Sequence, residues 1–277
     1  MFRSSNPIFS RNDSFKESNP YRHDSLVMQG GTVAASAQAG ETPTAADRDV
    51  TTVRGASIKF AFLLALCIAS ALGAAVLFQA QPGLLFPVTI AGFLIALVVG
   101  LVGAFWPKGA VFYAPVYAVA EGAALSGLSL IISASLGPKL GDGIIFQAVM
   151  LTLGIAAVCA IGFATGLLRI SSTVAKVIMV ATLGVGLTYL ANLVLGMFGI
   201  HTLGNAIHGT SMFGIGFSLF VVVLASANLV LDFQNIQVAA DNRAPKYMEW
   251  YSAFGLLVTL AWLYIEVLRL LSKLRQK

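Results

Sequence analysis

Charge is what this sequence has least of. Only 10% of its 277 residues are Asp, Glu, Lys or Arg, against 57% hydrophobic, whereas a soluble domain carries about 25% charged residues. That balance excludes a soluble globular fold and points to an integral membrane protein. The formal charge of +5 does not indicate a nucleic-acid partner. Through Gly55 six basic residues balance six acidic ones, and the later excess falls mainly in short connections and the C-terminal tail, as membrane topology requires. Cysteine is scarce too: Cys67 and Cys159 both sit in apolar stretches, which gives neither a disulfide framework nor a metal motif. Enzyme signatures are missing. There is no HExxH pair, no phosphate-cradling glycine loop and no Ser–His arrangement within the apolar spans. Two intramembrane carboxylates remain, but their flanks do not resemble aspartyl proteases. We therefore expect a protein that is not an enzyme and that carries no resident cofactor.

Residues 1 to about 52 are rich in Ser, Asn, Ala and Thr and show no apolar period. They contain no short apolar core followed by a cleavage site, so a signal peptide is not expected. We read residues 1–55 as a disordered cytoplasmic tail, with an amphipathic anchor around Pro7–Phe15 as the alternative. Residues 56–277 form the membrane domain.

Seven apolar segments follow: Ile58–Phe78, Leu84–Phe105, Val111–Ser135, Ile144–Leu167, Val174–Phe198, Ser211–Ala240 and Met248–Leu271. Each is long enough to cross the hydrocarbon core as a helix. The expected fold is an all-α polytopic bundle of seven transmembrane helices, with the bilayer as its solvent. Short connections carry the punctuation: Gln81-Pro82-Gly83, Trp106-Pro107-Lys108-Gly109 and Gly137-Pro138-Lys139. Gly162-x-x-x-Gly166 and the pair Gly184, Gly186 are small-residue patterns expected to serve helix packing. Basic residues concentrate on one set of ends: Arg54 and Lys59, Lys108, Arg169 and Lys176, Arg243 and Lys246. The positive-inside tendency then places the amino terminus in the cytoplasm of a cell membrane, the inner membrane for a bacterial protein. One observation disagrees. Seven crossings put the C-terminal tail outside, yet it holds Arg269, Lys273, Arg275 and Lys277. A re-entrant last segment would return those charges, but Met248–Leu271 is long and mostly apolar, so we keep seven spans.

The stretch Ser211–Ala240 organises the rest. It opens with about twenty uncharged residues and then runs through Asn228, Asp232, Gln234, Asn235 and Gln237 without Pro or Gly. A carboxylate on a membrane helix faces a partner or a water-filled cavity. After Gly55 the acids are Glu121, Asp142, Asp232, Asp241, Glu249 and Glu266; Asp142 and Asp241 fall in connections. At about 1.5 Å per residue, Glu121 lies about 16 Å in from Ala110, and Asp232 about 14 Å in from Asp241. Both depths are measured from the same side, so the two acids meet near the midplane. Glu249 belongs near the cytoplasmic mouth, and Glu266 close to the far surface, where it forms an i,i+3 pair with Arg269. Two carboxylates in one low-dielectric site cannot both ionise cheaply, so we expect Asp232 and Glu121 to share a proton and titrate as a unit. They also supply the hard oxygen ligands that suit Ca²⁺, bound or transported. Glu266, Glu249 and Asn228 are additional site candidates, with Asn192 and Asn228 expected to bond between helices. His201 and His208 lie in the outer connection after the fifth span and are read as solvated.

Several segments resemble the Bax inhibitor-1 family. They are Phe105-Trp106, then Tyr117-x-x-x-Glu121-Gly122-x-x-x-Ser126, and Leu231-Asp232-x-Gln234-x-Ile236. The resemblance runs from about Ile58 to the C-terminus and implies seven short-looped spans. It also implies a pH-sensitive cation leak, especially for Ca²⁺, gated by a proton shared between aspartates on spans six and seven. Asp232 matches the first aspartate. A gapless count places the second near Leu257, whereas the local pattern Leu263-Tyr264-Ile265-Glu266 places it on Glu266. This chain therefore either lacks that partner or substitutes Glu121. The alternative expectation is a membrane-embedded regulator that binds a membrane protease or another membrane protein, as some bacterial relatives are thought to do.

Overall fold

The computed structural model describes residues 50–199, 204, 207 and 209–277, all within one compact unit, Thr44–Lys277. The expected tail through residue 49, the anchor at Pro7–Phe15, and His201 and His208 lie outside the described residues. Among those described, seven helices are long and apolar enough to cross a membrane. They are α1 (Val53–Ala80), α2 (Leu85–Phe105), α3 (Ala110–Gly141), α4 (Ile144–Ala164), α5 (Ser172–Met197), α6 (Met212–Asp241) and α7 (Met248–Arg275). The chain is a helical polytopic bundle. Because α1 starts at Val53, residues 50–55 belong to the bundle rather than to the tail.

Local chemistry sets the helix ends. Thr52, Ser171 and Ser211 cap α1, α5 and α6, each accepting the N–H three residues on, which satisfies one orphan donor of the first turn. Pro82 and Pro107 stop α1 and α2, because each lacks the N–H that would continue the ladder. Each proline opens a single 3-10 turn, Pro82–Leu84 and Pro107–Gly109. Within α3 the backbone leaves helical geometry at Gly137, φ 76°, a left-handed conformation that glycine adopts at no steric cost.

α7 is the most buried span and α5 the least. α7 packs on α1, α3, α4 and α6, while α3 packs on α1 and α2, and α5 packs on α6. Lipid tails are as apolar as the helices, so close van der Waals packing holds the bundle. The glycines that serve it are not those the motif spacing suggests. A Cβ at Gly122 would overlap the Cys67 carbonyl of α1, and one at Gly92 would sit 2.8 Å from the Ala120 carbonyl of α3. By contrast, Gly184 and Gly186 face open space, and Gly166 ends α4 with φ 76°.

The bundle has two ends. At one, Val50 bridges Pro245, and Thr51 N–H donates to the Ala244 carbonyl at 2.7 Å. At the other, Arg275 donates to the Leu140 and Asp142 carbonyls and to Gln147 Oε1. α7 is one unbroken helix of 28 residues between them, so the last span crosses rather than folding back.

Candidate functional site

Glu121 comes from the middle of α3. Its neighbour Gly122 lets α1 approach against the Cys67 backbone. Glu121 is 5% exposed, with the Tyr117 hydroxyl approaching it from one turn earlier. Asp232 comes from the C-terminal third of α6, with Thr259 of α7 approaching its carboxylate. Asp232 Oδ2 is buried and has no hydrogen-bond partner. An unpaired buried carboxylate oxygen costs free energy.

The two acids line one cavity of about 880 Å³ between α2, α3, α6 and α7. Phe93, Leu97 and Leu101 of α2 form one wall, and Tyr251, Gly255, Val258 and Thr259 of α7 another. Phe254, which also lines it, meets Tyr113 and Tyr117 edge-on, with ring centroids 5.1 and 5.0 Å apart. The oxygen donors on the cavity are two carboxylates plus the side chains of Asn235, Ser252, Thr259, Tyr117 and Tyr251. Among the described residues no group of three or more His, Cys, Asp or Glu forms a metal site.

The other candidate residues are placed elsewhere, and each is saturated. Glu249 is fully buried at the opposite end of α7 from Glu266. It accepts from Thr52 N–H and Oγ1 at 2.9 Å each and pairs with Lys59 and, at 3.2 Å, with Lys246. It is a clamp between the start of α1 and the start of α7. Glu266 does pair with Arg269 at 2.9 Å as the i,i+3 spacing implies. The pair is not a surface one, however: Glu266 is 1% exposed and also accepts from Tyr189 and Trp262. Asn228 donates to Thr182 Oγ1 at 2.8 Å and to the Leu224 carbonyl, tying α6 to α5.

Four functional contacts escaped sequence reading. Gln234 holds the Ile170 N–H and carbonyl with both ends of its amide, at 3.3 and 3.1 Å, fixing the α4–α5 connection to α6 two residues on from Asp232. Lys59 completes the Glu249 clamp, Tyr189 completes the Glu266 network, and Thr259 faces Asp232. Lys59 was findable in principle, since a lone cation inside an apolar span needs an anion.

Fold and site together define a multi-pass membrane protein with two acids on one intramembrane cavity. The chain belongs to the family described as Bax inhibitor 1 like, whose family model matches residues 6–276. The match begins well before Ile58 and so takes in most of the amino-terminal segment. No curated protein and no solved structure matches the chain.

Proposed function

We propose that the protein is a passive, proton-modulated cation leak pathway in a cell membrane, with Ca²⁺ as its cargo and its amino terminus in the cytoplasm. Asp232 and Glu121 are the gate and the transient ion site. One observation carries the reading: both acids line a single cavity, and Asp232 presents a buried oxygen with no protein partner. A proton shared by the pair leaves it with one negative charge, and its release leaves two, which favours a cation. Glu249 and Glu266 have no part in this step, because protein donors and cations occupy them.

The test is Ca²⁺ flux from liposomes holding the purified chain, measured across pH. Wild type conducts with a pH dependence, and Asp232→Asn or Glu121→Gln removes that dependence. The double variant adds little, since coupled residues are non-additive. Unchanged pH dependence in Asp232→Asn would place the gate elsewhere. A wild-type chain that conducts nothing at any pH would overturn the leak reading in favour of a regulator of a membrane protease or other membrane protein.

A further inference from the structure

The cavity that holds Asp232 and Glu121 carries two acids and no cation. Among the described residues on its wall none is Lys, Arg or His. The basic residues nearest in the chain to that wall are engaged elsewhere: Lys246 pairs with Glu249 and Arg269 with Glu266. Asp232 Oδ2 is buried on the wall with no hydrogen-bond partner among the described residues. A carboxylate withdrawn from water calls for a cation beside it, and the wall itself supplies none.

The rest of the lining selects the kind of cation. Five aromatic side chains contribute to it: Phe93, Tyr117, Tyr251, Phe254 and Trp262. Hard metal ions take oxygen ligands and gain little from such rings. An ammonium bearing an apolar group gains from the carboxylates and from the rings together. The volume, about 880 Å³, lies in the range of pockets that take small organic molecules, roughly 300–1,000 Å³. Two glycines keep it open. Gly100 of α2 and Gly255 of α7 both line it, and a Cβ at either would meet nothing within 4 Å. The α2 wall also reaches the bilayer: Leu97 and Leu101 line the cavity yet are 60% and 55% exposed. An amphiphilic cation dissolved in the membrane can therefore enter from the side.

We infer that this cavity binds an organic ammonium ion bearing an aromatic group. Its nitrogen sits at Asp232 and Glu121, and its apolar part lies against the rings of α2 and α7. The site does not rest on the leak reading, because it needs the acids and the wall but no conduction.

Isothermal titration calorimetry of the full chain in nanodiscs tests it, with empty nanodiscs as the blank. The probes are 4-phenylbutylammonium and 4-phenylbutanol, which share the apolar part and differ in the charged group. Wild type binds one ammonium per chain and binds the alcohol at least about tenfold more weakly, as loss of a charge-assisted bond requires. Asp232→Asn brings the ammonium down to the level of the alcohol. Gly255→Leu, which fills the cavity, weakens both probes and keeps the location testable should Asp232→Asn not fold. Val98→Phe, a lipid-facing change on α2 outside the lining, alters neither. No saturable ammonium binding by wild type, equal affinity for the two probes, or undiminished ammonium affinity in folded Asp232→Asn or Gly255→Leu overturns the site. Ca²⁺ flux is measured without either probe, so a chain that binds the ammonium but conducts nothing overturns the leak reading alone.

Discussion

Glu249→Ala should be the most destabilising acid substitution in this protein, and the structure gives the size of the effect. Glu249 is fully buried, while the Lys59 side chain that pairs with it is 19% exposed. Removing one partner of a buried pair costs about 3–5 kcal/mol, because the other charge is left uncompensated. Two terms set the value near the low end. Lys59 can lengthen toward water along its stem, and the Trp250 ring, 5.7 Å away, still attracts it. A third term adds to the loss. Thr52 N–H and Oγ1 both give their hydrogen bonds to Glu249, and Thr52 caps α1, so the first turn of the first span loses its anchor. The Lys246 arm is half-exposed and contributes little, about 0–1 kcal/mol. Glu249→Gln keeps an acceptor for Thr52 and should cost less, about 1–3 kcal/mol. The assay is equilibrium unfolding in mixed micelles followed by tryptophan fluorescence, with a Glu249→Gln/Lys59→Met cycle to isolate the pair. A loss under about 1 kcal/mol for Glu249→Ala, a typical surface value, would refute the clamp.

The two buried acids on opposite sides of the functional question should respond differently to neutralisation. Asp232→Asn should leave unfolding free energy within about 1 kcal/mol of wild type or raise it, since it replaces an unpartnered carboxylate oxygen. Glu266→Gln should lower it by about 2–3 kcal/mol, since it leaves the Arg269 charge without its buried counter-ion. The same unfolding assay reads both. Gly122→Ala should cost about 1–3 kcal/mol by overpacking, because its Cβ would overlap the Cys67 backbone, whereas Gly184→Ala, facing open space, should be neutral.

Sequence reading succeeds here where one dimension suffices. Hydropathy and length located all seven spans, with ends off by as much as the gap from Ser135 to Gly141 in the third, since crossing hydrocarbon needs only a long apolar helix. The matched depth of Glu121 and Asp232 followed from a constant rise per residue, and both acids do line one cavity. What failed to be legible depends on rotation and on distant chain. Nothing in the spacing around Glu249 shows that its partner is Lys59, 190 residues away. Tyr189 lies 77 residues from Glu266, and a tyrosine in an apolar run gives no sign of what it bonds. The glycine pattern misled for a related reason. Gly162-x-x-x-Gly166 has the spacing of a packing face, yet Gly166 is a helix stop. Gly122, one end of the pattern Gly122-x-x-x-Ser126, is where the α1 backbone meets α3.

The C-terminal cations bear on topology, and they lead to a prediction opposite to the one their number suggests. Four basic residues after Glu266 should draw the tail to the cytoplasm, if they act as free charges near the bilayer surface. Three of them are not free. Arg269 pairs with Glu266 at 2.9 Å. Lys273 is 3% exposed and donates to the Ile207 and Gly214 carbonyls and to Ser218 Oγ, at 2.5, 2.9 and 2.7 Å. Arg275 donates to the Leu140 and Asp142 carbonyls and to Gln147. Each partner belongs to the bundle end that holds the α3–α4 connection and the start of α6, away from Val50 and Pro245. Arg275 meets the last carbonyls of α3, while Arg269 and Lys273 are satisfied by Glu266 and by groups at the start of α6, so their pull on orientation is largely removed. A reporter fused after Lys277 that is active only outside the cytoplasm should therefore be active, and the same reporter before Val50 silent. Lys273→Met should not invert the pattern, but should loosen the α6 start and raise protease cleavage near Gly209. A C-terminal reporter active only in the cytoplasm would refute the orientation.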